Sequence, residues 1–484
     1  MIPFAEWRPD MPALSQWARE ALNVVPAEES YMPLNDLAGV SSALAARAQG
    51  AAWFRGTAGA TRMFAGDASK LYLLSGSTWN DASRLAGGPY ATGADGMWRF
   101  TQFGTLALAV NGIDAAQKFD LSVGTHWEAL DGAPPIATYV TTVRDFVLMG
   151  KIGSAPQRLQ WSGINNAELW GSDPATQTDF QELPDGGDIT GLSGGELAVV
   201  LQEAAIRRMT FEGPPVVFRI DKIATDLGCS VPGSVASLLD MTFFLHKSGF
   251  YMVRGGQAIE PIGRGKVDRT FWSEFDETNQ FRCSAAIDPV RGLYVFAYPA
   301  TGSGGLPNRL LIYNWRTGRW SRAVVACNLV YGGVSQQGYT LEELDPFGTL
   351  ETLPYSLDSS YWTGAVSLLL FGFDTGHRSG SFSGAALEAV CETAEFNPGN
   401  GQRATVRGCR PLIDGGAPLL QVGARETQQK AVAWGPPVGP TPAGLAPLLA
   451  SGRYFRVRAT MPAGATWSNM QGIDDLDVRP GGAQ

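Results

Sequence analysis

The chain has 484 residues, 44% hydrophobic and 17% charged, which fits a folded protein and excludes an extensively disordered one. Its formal net charge of −9 and its pI of about 5.1 exclude the chain-wide basic surface that is typical of nucleic-acid-binding proteins. The length predicts two or more domains. The 59 Gly, 30 Pro and 14 Trp predict many turns joining aromatic strands, and therefore an all-β architecture.

The first 48 residues are predicted to form an N-terminal arm. Residues 12–23, PALSQWAREALN, are compatible with one or two turns of amphipathic helix, and the following segment is extended and interrupted by proline. The N-terminus lacks a basic region followed by an apolar core, so we expect no secretion signal. We expect the arm to add a strand to the C-terminal part of the chain.

A unit of one strand, a tight turn, an aromatic residue and a polar exit recurs along the chain. Its clearest copy is NRLLIYNWRTGRWSR, with Tyr313 and Trp320. The six copies recur at roughly 40 to 50 residues, a spacing typical of propeller blades. They lie at residues 69–83, 115–132, 157–171, 204–220, 248–263 and 308–322.

Each unit has room for four strands, so residues 49–340 are predicted to form a six-bladed β-propeller. Along the sixth unit, Leu310 and Ile312 alternate with Leu311 and Tyr313, which places apolar side chains on both faces of the sheet. The recurring aromatic residues are therefore interpreted as packing between blades, with stacking on a sugar or base as the alternative.

The remaining chain divides into a connecting segment, 341–384, and a C-terminal β domain, 385–484. The connecting segment contains one apolar strand at residues 366–373. The C-terminal domain has six alternating strand candidates, interrupted at residues 435–447 by a Gly- and Pro-rich stretch that we predict to be a long loop. This pattern indicates a β-sandwich-like or tube-forming domain.

Four short motifs were considered as catalytic or phosphate sites. The FDTGH sequence around Asp374 has no second copy, as an aspartic protease needs, and GLSGG at residues 191–195 precedes a strand instead of a helix. GRGK at residues 263–266 lacks the first glycine of a phosphate loop. The consecutive acids Glu342–Glu343 and Asp474–Asp475 would point to opposite faces of a strand. We therefore predict no catalytic residue, and that the protein is not an enzyme.

The five cysteines are widely spaced and odd in number, which predicts reduced, mostly buried thiols and fits assembly in a cytoplasm. His126, His246 and His377 show no ligand spacing, so we predict neither a metal site nor a cofactor-binding site. No apolar run reaches the roughly 18 residues that a membrane helix needs, and no membrane insertion is expected.

Five segments together resemble the tail nozzle proteins of short-tailed bacteriophages, also called tail tubular protein B or packaged-DNA stabilisation proteins. They begin at residues 21, 66, 229, 355 and 452, with the sequences ALNVVPAEESYMPL, GDASKLYLLSGSTWNDAS, CSVPGSVASLLDMTFFLHKSGFYMV, YSLDSSYWTGAVSLLLFGFDTGHRSGSFSGAALEA and GRYFRVRATMPAGATWSNMQGIDDLDV. The resemblance rests on the residue pattern of these segments and on their order, and it extends over nearly the whole chain.

The resemblance implies a structural virion protein located in the tail. It implies a homo-oligomeric ring, typically of six copies, below the portal adaptor ring. The propeller would lie outside, tail fibres or spikes would dock nearby, and double-stranded DNA would pass without sequence specificity. Two alternatives stay open: a carbohydrate-binding propeller adhesin and a tail protein that acts on polysaccharide.

An acidic protein can block a DNA channel sterically without gripping phosphates. We therefore expect acidic residues of the C-terminal domain, such as Asp474, Asp475 and Asp477, to line or rim the channel.

Overall fold

The computed structural model describes residues 1–56, 61–334, 348–349, 351–353, 356 and 368–480. The arm forms five short strands in place of the expected helix, because its backbone pairs with distant sheets and this pairing outweighs local propensity. They are β1 (Ile2–Pro3), β2 (Glu20–Leu22), β3 (Val24–Pro26), β4 (Tyr31–Pro33) and β5 (Ala38–Ala43).

The first three blades are four-stranded antiparallel sheets in sequential order. Blade 1 has β6 (Gly50–Arg55), β7 (Thr61–Gly66), β8 (Leu71–Ser75) and β9 (Thr78–Asp81). Blade 2 has β10 (Arg99–Phe103), β11 (Leu106–Val110), β12 (Gln117–Asp120) and β13 (Glu128–Ala129). Blade 3 has β14 (Ala137–Val143), β15 (Phe146–Ile152), β16 (Ala155–Trp161) and β17 (Asp179–Glu182).

Blades 4 to 6 follow the same pattern. Blade 4 has β18 (Ile189–Ser193), β19 (Leu197–Gln202), β20 (Ala205–Gly213) and β21 (Val217–Thr225). Blade 5 has β22 (Ala236–Leu238), β23 (Met241–His246), β24 (Gly249–Arg254) and β25 (Ala258–Pro261). Helix α1 (Asp268–Glu274) precedes blade 6, with β26 (Ser284–Asp288), β27 (Leu293–Pro299), β28 (Pro307–Asn314) and β29 (Arg319–Ala323). Two 3-10 helices, Pro232–Ser234 and Glu277–Arg282, lead into blades 5 and 6.

A seventh blade corrects the predicted count of six. It consists of β30 (Leu329–Val334), β31 (Leu368–Phe373), β32 (Arg378–Ser381) and the arm strand β5, which pairs antiparallel with β32. The fourth strand of this blade comes from the opposite end of the chain, so no contiguous repeat marks it in the sequence. Closing a propeller with strands from both termini removes the free edges of the ring.

Seven apolar clusters fill the seven interfaces between neighbouring blades. Phe64 contacts Phe119 between blades 1 and 2 at a ring-centroid distance of 4.9 Å, and Phe146 contacts Phe218 between blades 3 and 4 at 5.0 Å. Trp79 of blade 1 donates through Nε1 to Ser41 Oγ of blade 7 at 3.0 Å, so the ring is closed. The all-β propeller class is thus confirmed by the sheets themselves.

The aromatic residues of the repeated unit pack between blades, as interpreted from the sequence. Trp320 is fully buried against Tyr313, with ring centroids 4.7 Å apart, and donates through Nε1 to Ile262 O at 2.9 Å. The two faces of β28 enter different clusters, since Leu310 and Ile312 pack toward blade 7 and Leu311 packs toward blade 5. Gly318, with φ 71°, completes the turn between β28 and β29, where a left-handed backbone is required.

The C-terminal strands build a β-sandwich. They are β33 (Ala389–Glu392), β34 (Ala404–Gly415), β35 (Leu419–Arg425), β36 (Ala433–Trp434), β37 (Ala446–Gly452), β38 (Tyr454–Met461) and β39 (Trp467–Pro480). One sheet has the order β3-β4-β39-β34-β37, with β1 also paired to β39. The other contains β2-β33-β38-β35-β36. Both bury apolar side chains in one core, which includes Val406, Val457 and Met470.

The predicted boundaries differ from the structure at three places. Strand β5 takes part of the 1–48 arm into the propeller, which extends past residue 340. Strands β31 and β32 likewise place part of the 341–384 segment in the propeller. Glu342 and Glu343 of that segment lie outside the described residues. Strand β37 starts inside the stretch predicted to be a loop at 435–447. The expectation that the arm pairs with the C-terminal domain is confirmed by β1 to β4.

A methyl group at Gly380 should weaken the closure of blade 7. A Cβ there would collide with the backbone carbonyl of Ala38 on β5, so we expect Gly380→Ala to lower the free energy of unfolding by about 2 kcal/mol. Urea denaturation measures this difference. Gly153→Ala is the matched control, since its Cβ would have open space around it. Equal stability of the two variants would contradict the described closure.

Candidate functional site

The propeller and the sandwich share one nine-stranded sheet. Blade 6 continues from β29 through β2 into β33, β38, β35 and β36. Strand β2 runs parallel to β29 through the pair Leu22–Arg322 and antiparallel to β33 through Glu20–Glu392. This junction is the candidate functional site because it fixes how the two parts are joined.

Asn23 connects the two parts at the end of β2. Its amide N–H donates to Arg322 O at 2.8 Å, and its side-chain Oδ1 accepts from Val324 N at 2.8 Å, both on the propeller. Its Nδ2 donates to Glu388 O at 2.8 Å, on the sandwich. Asn23 has φ 56°, a left-handed backbone that asparagine tolerates better than most residues.

Ion pairs run across the shared sheet from strand to strand. The Arg322 guanidinium pairs with Glu20, with Nε donating to Oε1 at 2.9 Å. Arg458 Nε donates to Glu392 Oε1 at 2.8 Å. The first pair links blade 6 to the arm strand β2, and the second links β33 to β38 within the sandwich, so charge supports the backbone hydrogen bonds on both sides of the junction.

Glu395, which follows β33, is the most buried member of this network. Its side chain is 0% exposed and is held by Arg425, whose Nε donates to Oε1 at 2.6 Å, and by Arg456, whose Nη2 lies 3.2 Å from Oε2. Burial alone would raise the pKa of the Glu395 carboxyl, but the two guanidinium groups outweigh burial and hold the pKa below its ordinary value.

Arg319, the first residue of β29, connects the arm to blade 6. Its guanidinium is buried over the Tyr31 ring at 4.6 Å and donates to Phe4 O at 3.1 Å and to Glu28 O at 2.6 Å. A cavity of about 620 Å³ opens beside it, lined by arm residues that include Glu6 and by Thr317 of the turn. The Arg319 guanidinium group therefore supplies hydrogen bonds to arm carbonyls in place of the backbone hydrogen bonds of a sheet.

The acidic residues expected to line a channel lie on β39 and are 44–64% exposed. Asp474 lies 3.0 Å from the Met1 amino group, and Asp475 Oδ2 lies 2.9 Å from Arg410 Nε. The hydrogen bond from the Met1 ammonium group lowers the pKa of Asp474. Asp477 lies 3.6 Å from Arg479 Nε. Each acid therefore has a cation of the same chain beside it, and its position relative to a channel stays a prediction.

The short motifs that resemble catalytic or phosphate sites form turns and strands of the fold. Asp374 closes the turn after β31 by accepting from Arg378 N at 2.9 Å, and Gly191–Ser193 lie on β18 with a strand after them. Lys266 of the GRGK turn donates to Gly318 O at 2.7 Å. None of these groups converges on another in the part of the chain that the structure describes.

Thiols and imidazoles also remain apart. All five cysteines are buried and free, as the sequence predicted, and burial raises the pKa of Cys229 to about 11. No group of three potential metal ligands occurs among the described residues. In the same residues no helix has the length and apolar character needed to cross a bilayer.

Comparisons with known proteins found similar solved structures but no matching family. No protein-family model and no curated protein matches the chain. Three similar solved structures are β-propellers, each 10% identical to this chain. YCF48 bound to D1 peptide has a TM-score of 0.36, and the match covers 62% of this chain and 87% of that chain. BamB from Moraxella catarrhalis has a TM-score of 0.33, with 64% and 87% covered, and BBS1N in complex with ARL6DN has a TM-score of 0.39, with 73% and 96% covered. At these values the likeness says nothing about function.

Neutralising Glu395 should destabilise the protein in a pH-dependent way. At pH 7 we expect Glu395→Gln to lower the free energy of unfolding by about 3 kcal/mol, because the partly buried Arg425 and Arg456 lose their counter-charge. The pKa of Glu395 is depressed in the folded state, so its contribution is fully present above the ordinary glutamate pKa of 4.5. It is lost as the pH falls through the folded-state pKa.

Urea denaturation of both proteins between pH 7 and pH 3 measures this effect. Asp477→Asn is the control, since this exposed pair should contribute less than about 0.5 kcal/mol. A pH-independent difference for Glu395→Gln would contradict the assignment of the buried pairs.

Proposed function

We propose that the protein is a structural subunit of the tail nozzle of a short-tailed bacteriophage. Copies of the chain form a closed ring, typically of six, below the portal adaptor ring. The ring closes the exit channel for double-stranded DNA and lets the DNA pass on ejection, and fibres or spikes dock near it. The resemblance of five sequence segments to this family is the starting point of the proposal.

The observation that supports the proposal best is the shared nine-stranded sheet. A ring that holds packaged DNA under load needs subunits whose outer and inner parts do not move relative to each other. Here the propeller and the sandwich are joined by a continuous hydrogen-bonded sheet instead of by a flexible linker, and ion pairs reinforce that sheet on both sides of β2.

The sandwich also carries an edge strand suited to contact with another copy. Strand β37 pairs with β34 on one side only among the described residues. Its outward residues include Leu449, which is 74% exposed. The corresponding edge of the other sheet is covered by residues 433–438, where Pro436 and Pro437 offer no amide donor. Strand β37 has no such cover among the described residues; its own Pro447 removes one amide donor, and the rest of the open edge favours association with a second chain.

The charge of the sandwich fits passage of DNA. The three acids of β39 face three cations of the same chain, Arg410, Arg479 and the Met1 amino group, so this strand is close to neutral. A neutral wall makes few phosphate contacts and holds DNA sterically without a strong salt-dependent grip. The buried free thiols suit assembly in a host cytoplasm.

Purified full-length protein should form closed rings of one defined size. Negative-stain electron microscopy and light scattering over a concentration series measure ring size and stoichiometry. We expect Leu449→Glu to reduce the ring fraction at least tenfold, because a buried carboxylate at the interface costs more than about 1.4 kcal/mol.

Leu85→Glu is the matched control, since Leu85 is 84% exposed in the connection between blades 1 and 2 and should not affect assembly. A chain that stays monomeric at every concentration and binds glycans would contradict the nozzle and favour an adhesin. Rings that tolerate Leu449→Glu would contradict only the assignment of β37.

A further inference from the structure

A second cavity lies on the axis of the propeller. It has a volume of about 290 Å³, and its walls include Met97 before blade 2, Tyr139 of blade 3, Pro232 before blade 5 and Phe281 before blade 6. Blades 2 and 5 are not neighbours in the ring, so a cavity that touches both must lie at the mouth of the central channel. Its volume is at the lower end of the range for small-molecule sites.

Arg99, at the start of β10, presents a guanidinium group to this cavity without an acidic partner. In the described residues it forms no ion pair within 4.0 Å; its Nη2 donates at long distance to Pro232 O (3.3 Å) and to Met97 Sδ (4.0 Å), and no partner is seen for Nε and Nη1. The guanidinium lies 5.8 Å from the centroid of the Tyr139 ring. Several of its donors are therefore available to an incoming acceptor.

Tyr139 supplies a second polar group. Its side chain is only 7% exposed, and its hydroxyl has no hydrogen-bond partner among the residues that the structure describes. Burial raises the pKa of Tyr139 to about 12, so the hydroxyl keeps its proton at neutral pH and can donate it. Because this hydroxyl is not among the fully buried polar atoms, it is accessible from the cavity and can donate to an acceptor bound there.

The charges around the cavity favour an anion. Arg47 donates to Ala94 O at 2.8 Å, and its pKa is lowered by burial and by nearby Arg282. The Nε of Arg282 is buried without a partner. Arg99 and Asp95 are the charged residues that line the cavity, and the charge of Asp95 acts on Arg47, while Arg99 keeps no acidic partner within 4.0 Å among the described residues.

We propose that the cavity at the propeller mouth binds a carboxylate carried on a small apolar body. The fork of Arg99 holds the two oxygens, Tyr139 OH donates to one of them, and Met97, Pro232 and Phe281 contact the apolar part. A planar carboxylate matches the Arg99 fork, and the apolar walls favour it over inorganic phosphate. Its source is either a free small acid or the end of a peptide chain.

Calorimetric titration of the full-length protein tests the site. The probes are benzoate, its neutral analogue benzamide, inorganic phosphate, and acetyl-Gly-Phe as the free acid and as the amide. We expect binding of benzoate and little binding of benzamide. Arg99→Lys keeps the charge but loses the fork, and should weaken benzoate at least about tenfold. Tyr139→Phe should weaken it about fivefold.

Arg254→Lys, an exposed arginine on β24, is the control and should leave the affinity unchanged. Tighter binding of the peptide acid than of benzoate assigns the ligand to a chain terminus, and the reverse assigns it to a small molecule. Three results would overturn the proposal: no benzoate binding by the wild type, equal binding of benzamide, or Arg99-dependent binding of phosphate that is tighter than that of benzoate. Should Arg99→Lys fail to fold, an unchanged affinity in Tyr139→Phe would also overturn it.

Discussion

The structure depends on the pairing of strand β2 with two partners at once. Three residues of the arm lie between the outer strand of blade 6 and the first strand of the sandwich, and they turn two sheets into one. Asn23 completes the connection by bonding to the backbone of both parts. Without this strand, the edge of β29 would be exposed and the hydrogen-bonded sheet would end at blade 6, so that only the other arm strands and the shared apolar core would connect the sandwich to the propeller.

The N-terminal arm therefore has a role in every part of the molecule. Its first strands join the sandwich, β2 joins the shared sheet, and β5 closes blade 7. These contacts link residues far apart in sequence: Ser41 Oγ accepts from Ser379 N at a separation of 338 residues. Contacts of such long range form late in folding, because the chain entropy of a large loop must be overcome first. In the folded protein these contacts hold the propeller and the sandwich in a fixed orientation.

Much of the fold could be predicted from local pattern, since six blades carry their strands in order and each of the six has a tryptophan or phenylalanine at a blade interface. Blade 7 could not be predicted in this way, because its fourth strand is 38–43 and its aromatic residues, Tyr331 and Phe371, lack the spacing of the other units. The alternating arginines Arg456 and Arg458 mark a charged sheet face in the sequence. Their partners cannot be assigned without the register of β33 and β38. The axial cavity has no local signal, because ring closure alone brings its walls together.

The central claim is that β2 is an integral strand of one continuous sheet, and native-state amide hydrogen exchange tests it most directly. The account predicts that the amides of Ala21, Leu22 and Asn23 exchange as slowly as those of the central strands β28 and β38, through global unfolding. Exchange of these three amides at the rate of exposed loops, while β28 and β38 stay protected, would show that the arm detaches from both partners and would contradict the account.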